Sequence, residues 1–446
     1  MSSYKIKKTD GKTDWFVEDR FGMFIHFGLY AMGAKWEWCK TTEQICEDDY
    51  DKYFKYFNPD LFDAREWAKK AKATGMKYAV LTTKHHEGFC LFDSQYTDYK
   101  ITNTPFKRDL VKEYVEAFRA EGIKVGFYYS LIDWHHEDFP IDVAHPLREH
   151  PNAPELDKGR DMKKYAEYVR NQVTELLTNY GKIDILWFDF SYPNPTPEYI
   201  RKMFGFAPHA PANPAKPWMQ FNGGKGKEQW ESEKLMALIR SLAPDIIVNN
   251  RTGLAGDIST PEQVQPDEWM RDEESGEYKV WESCQTFSGS WGYARDEHTW
   301  KSPKMLIDML VKNVARGGNM ILNVGPNARG CFDSRAEAAL TAFGSWMKLN
   351  SRAICGCTMA EPEFCEPKGA SLTESADGKR LYLFLTEYPF KQIKMNTLAG
   401  KIKYAQFLCD ASEVKYTEKL DTGEVIFSLP IIPPEEITPV IEIFLD

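Results

Sequence analysis

The amino-acid sequence predicts an α/β protein: a (β/α)8-like TIM barrel, irregular in one or two strands, over residues 1–352, followed by a small antiparallel β-sandwich over residues 353–446. Short apolar β-rich runs alternate with longer amphipathic stretches from about residue 15 to residue 350, which is typical of repeated βα units and a parallel sheet. Beyond residue 350 the β-rich runs are short and closely spaced, as in antiparallel hairpins. With 43% hydrophobic residues among 446, the chain can bury one large core and a smaller one.

Six segments are predicted as barrel strands, and several of them are apolar throughout, as strands covered on both faces are. They begin at Gly22, Lys77, Lys124, Asp184, Asp245 and Asn319 and read GMFIHFG, KYAVLTTK, KVGFYYSL, DILWFDF, DIIVNNR and NMILNVG. Helices are predicted between strands at 109–121 and 161–180, where apolar residues recur at helical spacing. A complete barrel needs eight strands, so one or two strands are expected to be irregular. A Pro-rich insertion at 192–217 has the length and composition of a functional loop.

The last hundred residues indicate a different architecture. An Asp-Gly pair separates two β-rich runs in SLTESADGKRLYLFLTE, which predicts a hairpin. The segments IKYAQFL, EVKYTE, EVIFSL and VIEIFLD are predicted as further short antiparallel strands.

Charge and composition exclude several classes of partner. Lysine and arginine total 56 against 66 acidic residues, a net charge of −10, which would repel nucleic acid and anionic membranes. No run of eighteen apolar residues occurs, and no apolar segment follows the charged N-terminus. Nine cysteines form no CxxC pair, as expected for reduced thiols. A cytoplasmic protein without a cofactor is therefore predicted, unless a leader has been removed.

Polar residues cluster where the predicted strands end, which is where parallel barrels carry their reacting groups. These are His26, His85 and His86 with Glu87, Tyr129 with Asp133 to His136, Asp189, and Asn249 to Arg251. Asp189 is the sharpest candidate, because a carboxylate that follows Ile-Leu-Trp-Phe is costly to bury unless it is hydrogen-bonded or functional. A helix N-cap or a structural ion pair would explain it equally well.

Two chemistries could use such residues. A metal-dependent hydrolase could draw ligands from His26, His85, His135 and Asp189, but no HxH or HExxH spacing supports it. Tryptophans lie near the same positions, including Trp38, Trp187 and Trp291. Flat rings beside polar side chains suit a sugar, which has an apolar face and a hydroxylated rim. For any single tryptophan, core packing is an equally good explanation.

Nine segments together resemble the α-L-fucosidases of glycoside hydrolase family 29. In chain order they are WFVEDRFGMFIHFG, KYAVLTTKHHEGFCLFDS, GIKVGFYYSLIDWHH, ILWFD, VNNR, TPEQ, WESC, SWGY and GGNMILNVGP. They cover most of residues 15–330, and nine pieces in the family's order form a specific signal. The resemblance implies a retaining exo-α-L-fucosidase that hydrolyses terminal fucose from oligosaccharides or glycoconjugates. Members of the family are often oligomeric, so it also implies a homo-oligomer.

The resemblance assigns roles to particular residues. Asp189 corresponds to the family's nucleophile, and Glu262 of TPEQ corresponds to the general acid/base of members with Thr-Pro-Glu. Glu282 of WESC is the alternative acid/base. The implied sugar-binding residues are His26, Glu37, Trp38, His85, His86, Tyr129, Trp187, Arg251 and Trp291.

Two departures from the family pattern, Phe190 after the nucleophile and the long insertion, bear on the leaving-group side of the substrate. Two other functions stay open on sequence alone. One is a barrel glycosidase for another sugar, such as an α-galactosidase, which would share the pair of carboxylates. The other is a non-catalytic carbohydrate-binding protein, which would have no need of Asp189.

Overall fold

The structure is a computed structural model that describes residues 11–193, 224–434 and 437–446. The insertion predicted at 192–217 lies outside the described residues except for its first two positions.

In the described part of the chain, seven parallel strands form one sheet in the order β5-β4-β3-β2-β1-β7-β6. Their bounds are β1 Phe21–Ile25, β2 Tyr78–Lys84, β3 Lys124–Ser130, β4 Ile185–Asp189, β5 Ile247–Val248, β6 Glu282–Thr286 and β7 Asn319–Val324. The six predicted strands are confirmed, whereas β6 was not predicted because its sequence, ESCQT, is polar.

The helices in the described ranges are α1 Asp14–Asp19, α2 Tyr30–Gly33, α3 Cys39–Thr42, α4 Glu47–Tyr56, α5 Ala64–Ala73, α6 Leu110–Ala120, α7 Ala153–Leu156, α8 Met162–Thr178, α9 Ser232–Leu242, α10 Pro303–Val314 and α11 Ser334–Asn350. The two helices predicted at 109–121 and 161–180 are confirmed as α6 and α8. Each starts after an aspartate, Asp109 or Asp161, whose carboxylate accepts a hydrogen bond from a backbone N–H of the first turn. None of the described helices combines the length and apolar character that crossing a bilayer requires.

An irregular segment, residues 257–263, connects the two edge strands of the sheet. Asp257 donates its backbone N–H to the carbonyl oxygen of Val248 in β5 at 2.7 Å. Five residues later, Glu262 forms a parallel bridge with Cys284 of β6. Pro261 lies within the segment and cannot donate a backbone hydrogen bond, so the pairing is limited to isolated bridges. The segment takes the place of the eighth strand that the sequence predicts to be irregular.

Alternation along β4 determines which side chains face the barrel interior. Ile185 and Trp187 belong to the hydrophobic cluster inside the barrel, and Asp189 lies on the same face two residues further on. Leu186 and Phe188 belong instead to the larger cluster between the sheet and the surrounding helices. The aspartate therefore stands at the carboxyl end of an inward-facing row.

The C-terminal part of the chain forms two antiparallel sheets. Their strands are β8 Cys357–Met359, β9 Ser371–Ser375, β10 Arg380–Phe384, β11 Gln392–Met395, β12 Ile402–Phe407, β13 Tyr416–Lys419, β14 Glu424–Ser428 and β15 Val440–Leu445. One sheet has the order β12-β15-β10-β9-β8 and the other β11-β14-β13. Leu383 and Ile441 of the first sheet share a core with Ile393 and Phe427 of the second. The predicted fold class is confirmed, and the boundary at residue 353 stays a prediction.

Candidate active site

A cavity of about 410 Å³ opens at the carboxyl ends of the barrel strands. This is the end at which parallel barrels place their reacting groups. The described residues that line it are Phe24, His26, Trp38, His85, His86, Tyr128, Trp187, Asp189, Phe190, Arg251, Glu262, Gln263, Cys284 and Trp291. Nine of the site residues predicted from the sequence, Glu262 among them, therefore share one cavity.

Asp189 is the carboxylate at the base of this cavity, and it is 8% exposed. Its Oδ1 accepts hydrogen bonds from Arg251 Nη1 at 2.8 Å and from the backbone N–H of Phe190 at 3.0 Å. Its Oδ2 accepts one from the hydroxyl of Tyr128 at 2.8 Å. Burial raises the pKa of Asp189 with help from the nearby Glu262, and the charge of Arg251 opposes that rise.

Arg251 holds the two candidate catalytic carboxylates together. The same Nη1 that contacts Asp189 also donates to Glu262 Oε2 at 2.7 Å. Its other nitrogens donate to Thr260, and its guanidinium lies 4.5 Å from the centroid of the Trp187 ring. Burial opposes the positive charge, but Glu262 and Asp189 raise the pKa of Arg251 well above its ordinary value. The arginine is therefore a fixed cation.

Two of the histidines are oriented by side chains behind them. His26 Nδ1 lies 2.6 Å from Asn323 Oδ1, and the amide nitrogen of Asn323 donates to the carbonyl of Trp291. His86 Nδ1 lies 2.6 Å from the hydroxyl of Ser130, which itself donates to a backbone carbonyl. In both pairs the partner oxygen is left to accept, so Nδ1 carries the proton. Nε2 of each ring is then the hydrogen-bond acceptor.

All three histidines are uncharged at neutral pH. Burial lowers the pKa of His26 to about 3 and those of His85 and His86 well below the ordinary value. His85 Nδ1 is buried and has no hydrogen-bond partner among the residues that the structure describes. A buried polar atom without a partner is costly, and a ligand hydroxyl in the cavity could supply one.

Aromatic rings form the remaining walls. Trp291 lies 5.1 Å from the His26 ring, and Trp38 lies 4.8 Å from the His86 ring. Trp187 stacks on Tyr128 at 5.8 Å. Apolar faces therefore alternate with neutral hydrogen-bonding groups around the cavity.

Glu37 lies behind this wall and is not among the described lining residues. Its Oε2 accepts backbone hydrogen bonds from Trp291 at 3.1 Å and from Gly292 at 2.8 Å. Burial raises its pKa to about 7. In this structure Glu37 fixes the loop that carries Trp291, whereas the sequence predicted direct binding of the sugar.

The assignment of Tyr129 is wrong, and Tyr128 occupies the predicted position. Tyr128 pairs with Trp187 and Ser130 pairs with Asp189 in the parallel ladder, so Tyr128 faces inward. Tyr129 faces outward, and its hydroxyl donates to Gln172 Oε1 of α8 at 2.8 Å. Adjacent strand residues point to opposite faces, and the sequence alone did not reveal which tyrosine faced the barrel.

Glu282, the alternative acid/base, lies at the other end of the barrel. It is the first residue of β6 and pairs with Asn319, the first residue of β7. Its carboxylate accepts a hydrogen bond from the Tyr78 hydroxyl. Burial raises its pKa to about 7, against the opposing effect of Tyr78 and Trp187. Between the two glutamates, the geometry favours Glu262.

Other polar residues at strand ends have structural partners. Asp133 forms an ion pair with Lys84 at 3.0 Å, and Asn249 bonds both backbone groups of Phe188. Glu87 accepts hydrogen bonds from Tyr50 and from a backbone N–H. Within the described ranges, no three His, Cys, Asp or Glu side chains converge as a metal ion would require.

Sequence reasoning missed Tyr128, Asn323 and Ser130, which contact or orient the predicted residues. Asn323 precedes Val324 at the end of β7, and Ser130 ends β3. Both could have been found by the same rule that singled out Asp189, a polar residue at the carboxyl end of an apolar strand.

Two carboxylates joined by an arginine, at the carboxyl end of a parallel barrel and among indole rings and neutral histidines, define a glycoside hydrolase. The chain belongs to the alpha-L-fucosidase family, whose model, "Alpha-L-fucosidase", matches residues 2–352. The resemblance drawn from the nine sequence segments is thus confirmed.

Solved structures and curated proteins agree with this family. Alpha-L-fucosidase isoenzyme 1 from Paenibacillus thiaminolyticus is 41% identical, with a TM-score of 0.86 over 98% of this chain and 99% of that chain. An alpha-L-fucosidase from Bacteroides thetaiotaomicron, solved as a trapped covalent intermediate with 2-fluoro-fucosyl fluoride, is 29% identical, with a TM-score of 0.79 over 100% and 98% of the two chains. Plasma alpha-L-fucosidase of Homo sapiens is 28% identical over 373 residues, which are 76% of this chain and 68% of that protein.

Proposed function

We propose that this protein is a retaining exo-α-L-fucosidase that removes terminal fucose from oligosaccharides or glycoconjugates, with Asp189 as nucleophile and Glu262 as general acid/base. The observation that carries the proposal is the single Arg251 nitrogen that bonds both carboxylates. A cytoplasmic location and a homo-oligomeric assembly stay proposals from the sequence.

The spacing of the carboxylates fits a double displacement. The two oxygens that accept from Arg251 Nη1 cannot be farther apart than the two hydrogen bonds laid end to end, 2.8 Å and 2.7 Å. Retaining glycosidases hold their carboxyl groups about 5–5.5 Å apart, whereas inverting enzymes need room for a water between them. The trapped covalent intermediate of the Bacteroides relative supports the same course.

In the first step, an Asp189 oxygen attacks the anomeric carbon while the glycosidic bond breaks and Glu262 gives its proton to the departing oxygen. In the second step, the Glu262 carboxylate takes a proton from water, whose oxygen attacks the anomeric carbon and releases Asp189. Each step inverts the carbon, so the product keeps the starting configuration. Arg251 and Tyr128 favour the ionised nucleophile, since both donate hydrogen bonds to Asp189.

The neutral histidines suit a hydroxylated ligand. His26 and His86 each present an acceptor nitrogen, and His85 has a buried nitrogen that finds no partner within the described ranges. A methyl group, which distinguishes fucose from galactose, contributes only about 1 kcal/mol when buried. Selection of fucose therefore rests chiefly on how these groups match the hydroxyls.

Turnover of 4-nitrophenyl α-L-fucoside by the wild type and by Asp189→Ala tests the proposal. Without the nucleophile, kcat should fall at least about a thousandfold. Asp184→Asn is the matched control. This aspartate directly precedes the first residue of the same strand, at the end away from the cavity, so the change should leave kcat within about twofold.

Mass spectrometry after treatment with 2-fluoro-fucosyl fluoride should place the covalent adduct on Asp189. Full activity of Asp189→Ala, or an adduct elsewhere, would contradict the nucleophile; cleavage of α-galactosides only would contradict the substrate.

A further inference from the structure

Phe190, the residue after the candidate nucleophile, has a backbone conformation that its side chain does not favour. Its φ is +74°, in the left-handed region where a bulky residue costs about 1–3 kcal/mol and persists at functional sites. The conformation lets its backbone N–H donate to Asp189 Oδ1 at 3.0 Å. A glycine would make the same bond without strain, so the backbone bond alone does not account for a phenylalanine here.

The rings of Phe190 and Trp38 form an aromatic pair on one wall of the cavity, with centroids 5.2 Å apart. The Phe190 ring also meets the His86 ring edge-on, with centroids 4.8 Å apart. Trp134 supports Trp38 from behind at 5.3 Å. Phe190 and Trp38 both line the cavity and are both half-buried.

Solvent exposure distinguishes Phe190 and Trp38 from the three cavity histidines. His26, His85 and His86 are almost fully buried, whereas Phe190 is half-buried and Glu262 is exposed. Under the proposed mechanism, Glu262 protonates the oxygen that links fucose to the rest of the substrate. Phe190 and Trp38 are therefore, like Glu262, more exposed than the histidines, as residues that contact the departing group would be.

We infer that Phe190, together with Trp38, is a specificity-determining residue that stacks on the apolar face of the sugar directly attached to fucose. This inference rests on the proposed function. Pyranose rings combine an apolar face with a hydroxylated rim, and aromatic rings contact such faces well. The strain at Phe190 is then the cost of placing a ring beside the bond that breaks.

The test compares two substrates that share fucose and differ in the departing group. In α-L-fucosyl fluoride the departing group is too small to reach the aromatic pair, whereas a fucosylated disaccharide carries the adjacent sugar. We expect Phe190→Gly to lower the ratio of kcat/KM for the best-cleaved disaccharide to kcat/KM for the fluoride by about tenfold. Phe190→Leu, which keeps the bulk of the side chain, should lower it partly. Phe190→Tyr, which keeps the ring, should retain the wild-type ratio.

An unchanged ratio in Phe190→Gly and Phe190→Leu would overturn the inference, even if both variants are less active overall. Failure of the proposed function would look different, because the wild type itself would then cleave neither substrate.

Discussion

The two sides of the cavity are built in different ways. Asp189 ends a regular strand, where its ladder partner is Ser130 of β3, and it is 8% exposed. Glu262 lies on the irregular segment 257–263, which is held to β6 by isolated bridges, and its side chain is 44% exposed. Arg251 contacts both carboxylates.

This difference matches the different tasks of the two carboxylates. A nucleophile must be held in one position against the anomeric carbon, which a buried strand end provides. An acid/base must release and regain a proton in each cycle, and it needs access to the attacking water. A regular sheet on one side and an exposed irregular segment on the other provide these two environments.

The largest effect is expected from removing the carboxylate on the irregular side of the cavity, Glu262. We expect Glu262→Ala to lower kcat/KM for a fucosylated disaccharide by about 10²- to 10⁴-fold, since general acid catalysis is lost. The loss should be smaller for 4-nitrophenyl α-L-fucoside, whose departing group needs little protonation. Added azide, which needs no general base, should restore turnover and give a fucosyl azide.

Glu282→Gln is the matched control, because it alters a buried glutamate at the opposite end of the same barrel. Its kcat/KM should change by less than about threefold, with no response to azide. If azide rescued Glu282→Gln and not Glu262→Ala, the two roles would have to be exchanged.

A smaller effect is expected from removing the tyrosine hydroxyl that donates to the nucleophile Asp189. Tyr128→Phe removes a hydrogen bond to the Asp189 carboxylate, and hydrogen bonds to charged groups contribute about 1.5–3 kcal/mol. We expect kcat/KM to fall at least about tenfold. Tyr129→Phe removes a bond to Gln172 outside the barrel and should lower stability by about 1 kcal/mol without changing kcat/KM. If steady-state kinetics showed a lower kcat/KM for Tyr129→Phe and an unchanged kcat/KM for Tyr128→Phe, Tyr129 would be the active-site tyrosine.

The same contrast explains what could be predicted from the sequence. Strand β4 was predictable because ILWF is apolar on both faces, and Asp189 stood out at its end. Strand β6 was not predictable, because its inward-facing residues include Glu282 and its polar sequence, ESCQT, is typical of a loop. The choice between Tyr128 and Tyr129 needed the register between β3 and β4, which depends on contacts distant in sequence.

The smallest expected effect concerns stability and separates the two ends of the barrel. Burial raises the pKa of Glu282 from its ordinary 4.5 to about 7, so between these pH values the native state holds a proton that the unfolded state has lost. The resulting stabilisation is complete below about pH 4.5 and is lost as the pH rises through 7.

The variant Glu282→Gln tests this, because it keeps a hydrogen-bond acceptor for Tyr78 and removes the titrating carboxyl group. Between about pH 5 and pH 8 the free energy of unfolding, measured by denaturant titration, should therefore fall less for the variant than for the wild type, by on the order of 2 kcal/mol. Glu37 and Glu87 have pKa values raised in the same direction by burial, so the variant should retain part of the slope. Equal slopes would mean that Glu282 keeps its charge inside the barrel, where its hydrogen-bond donor is the neutral Tyr78 hydroxyl.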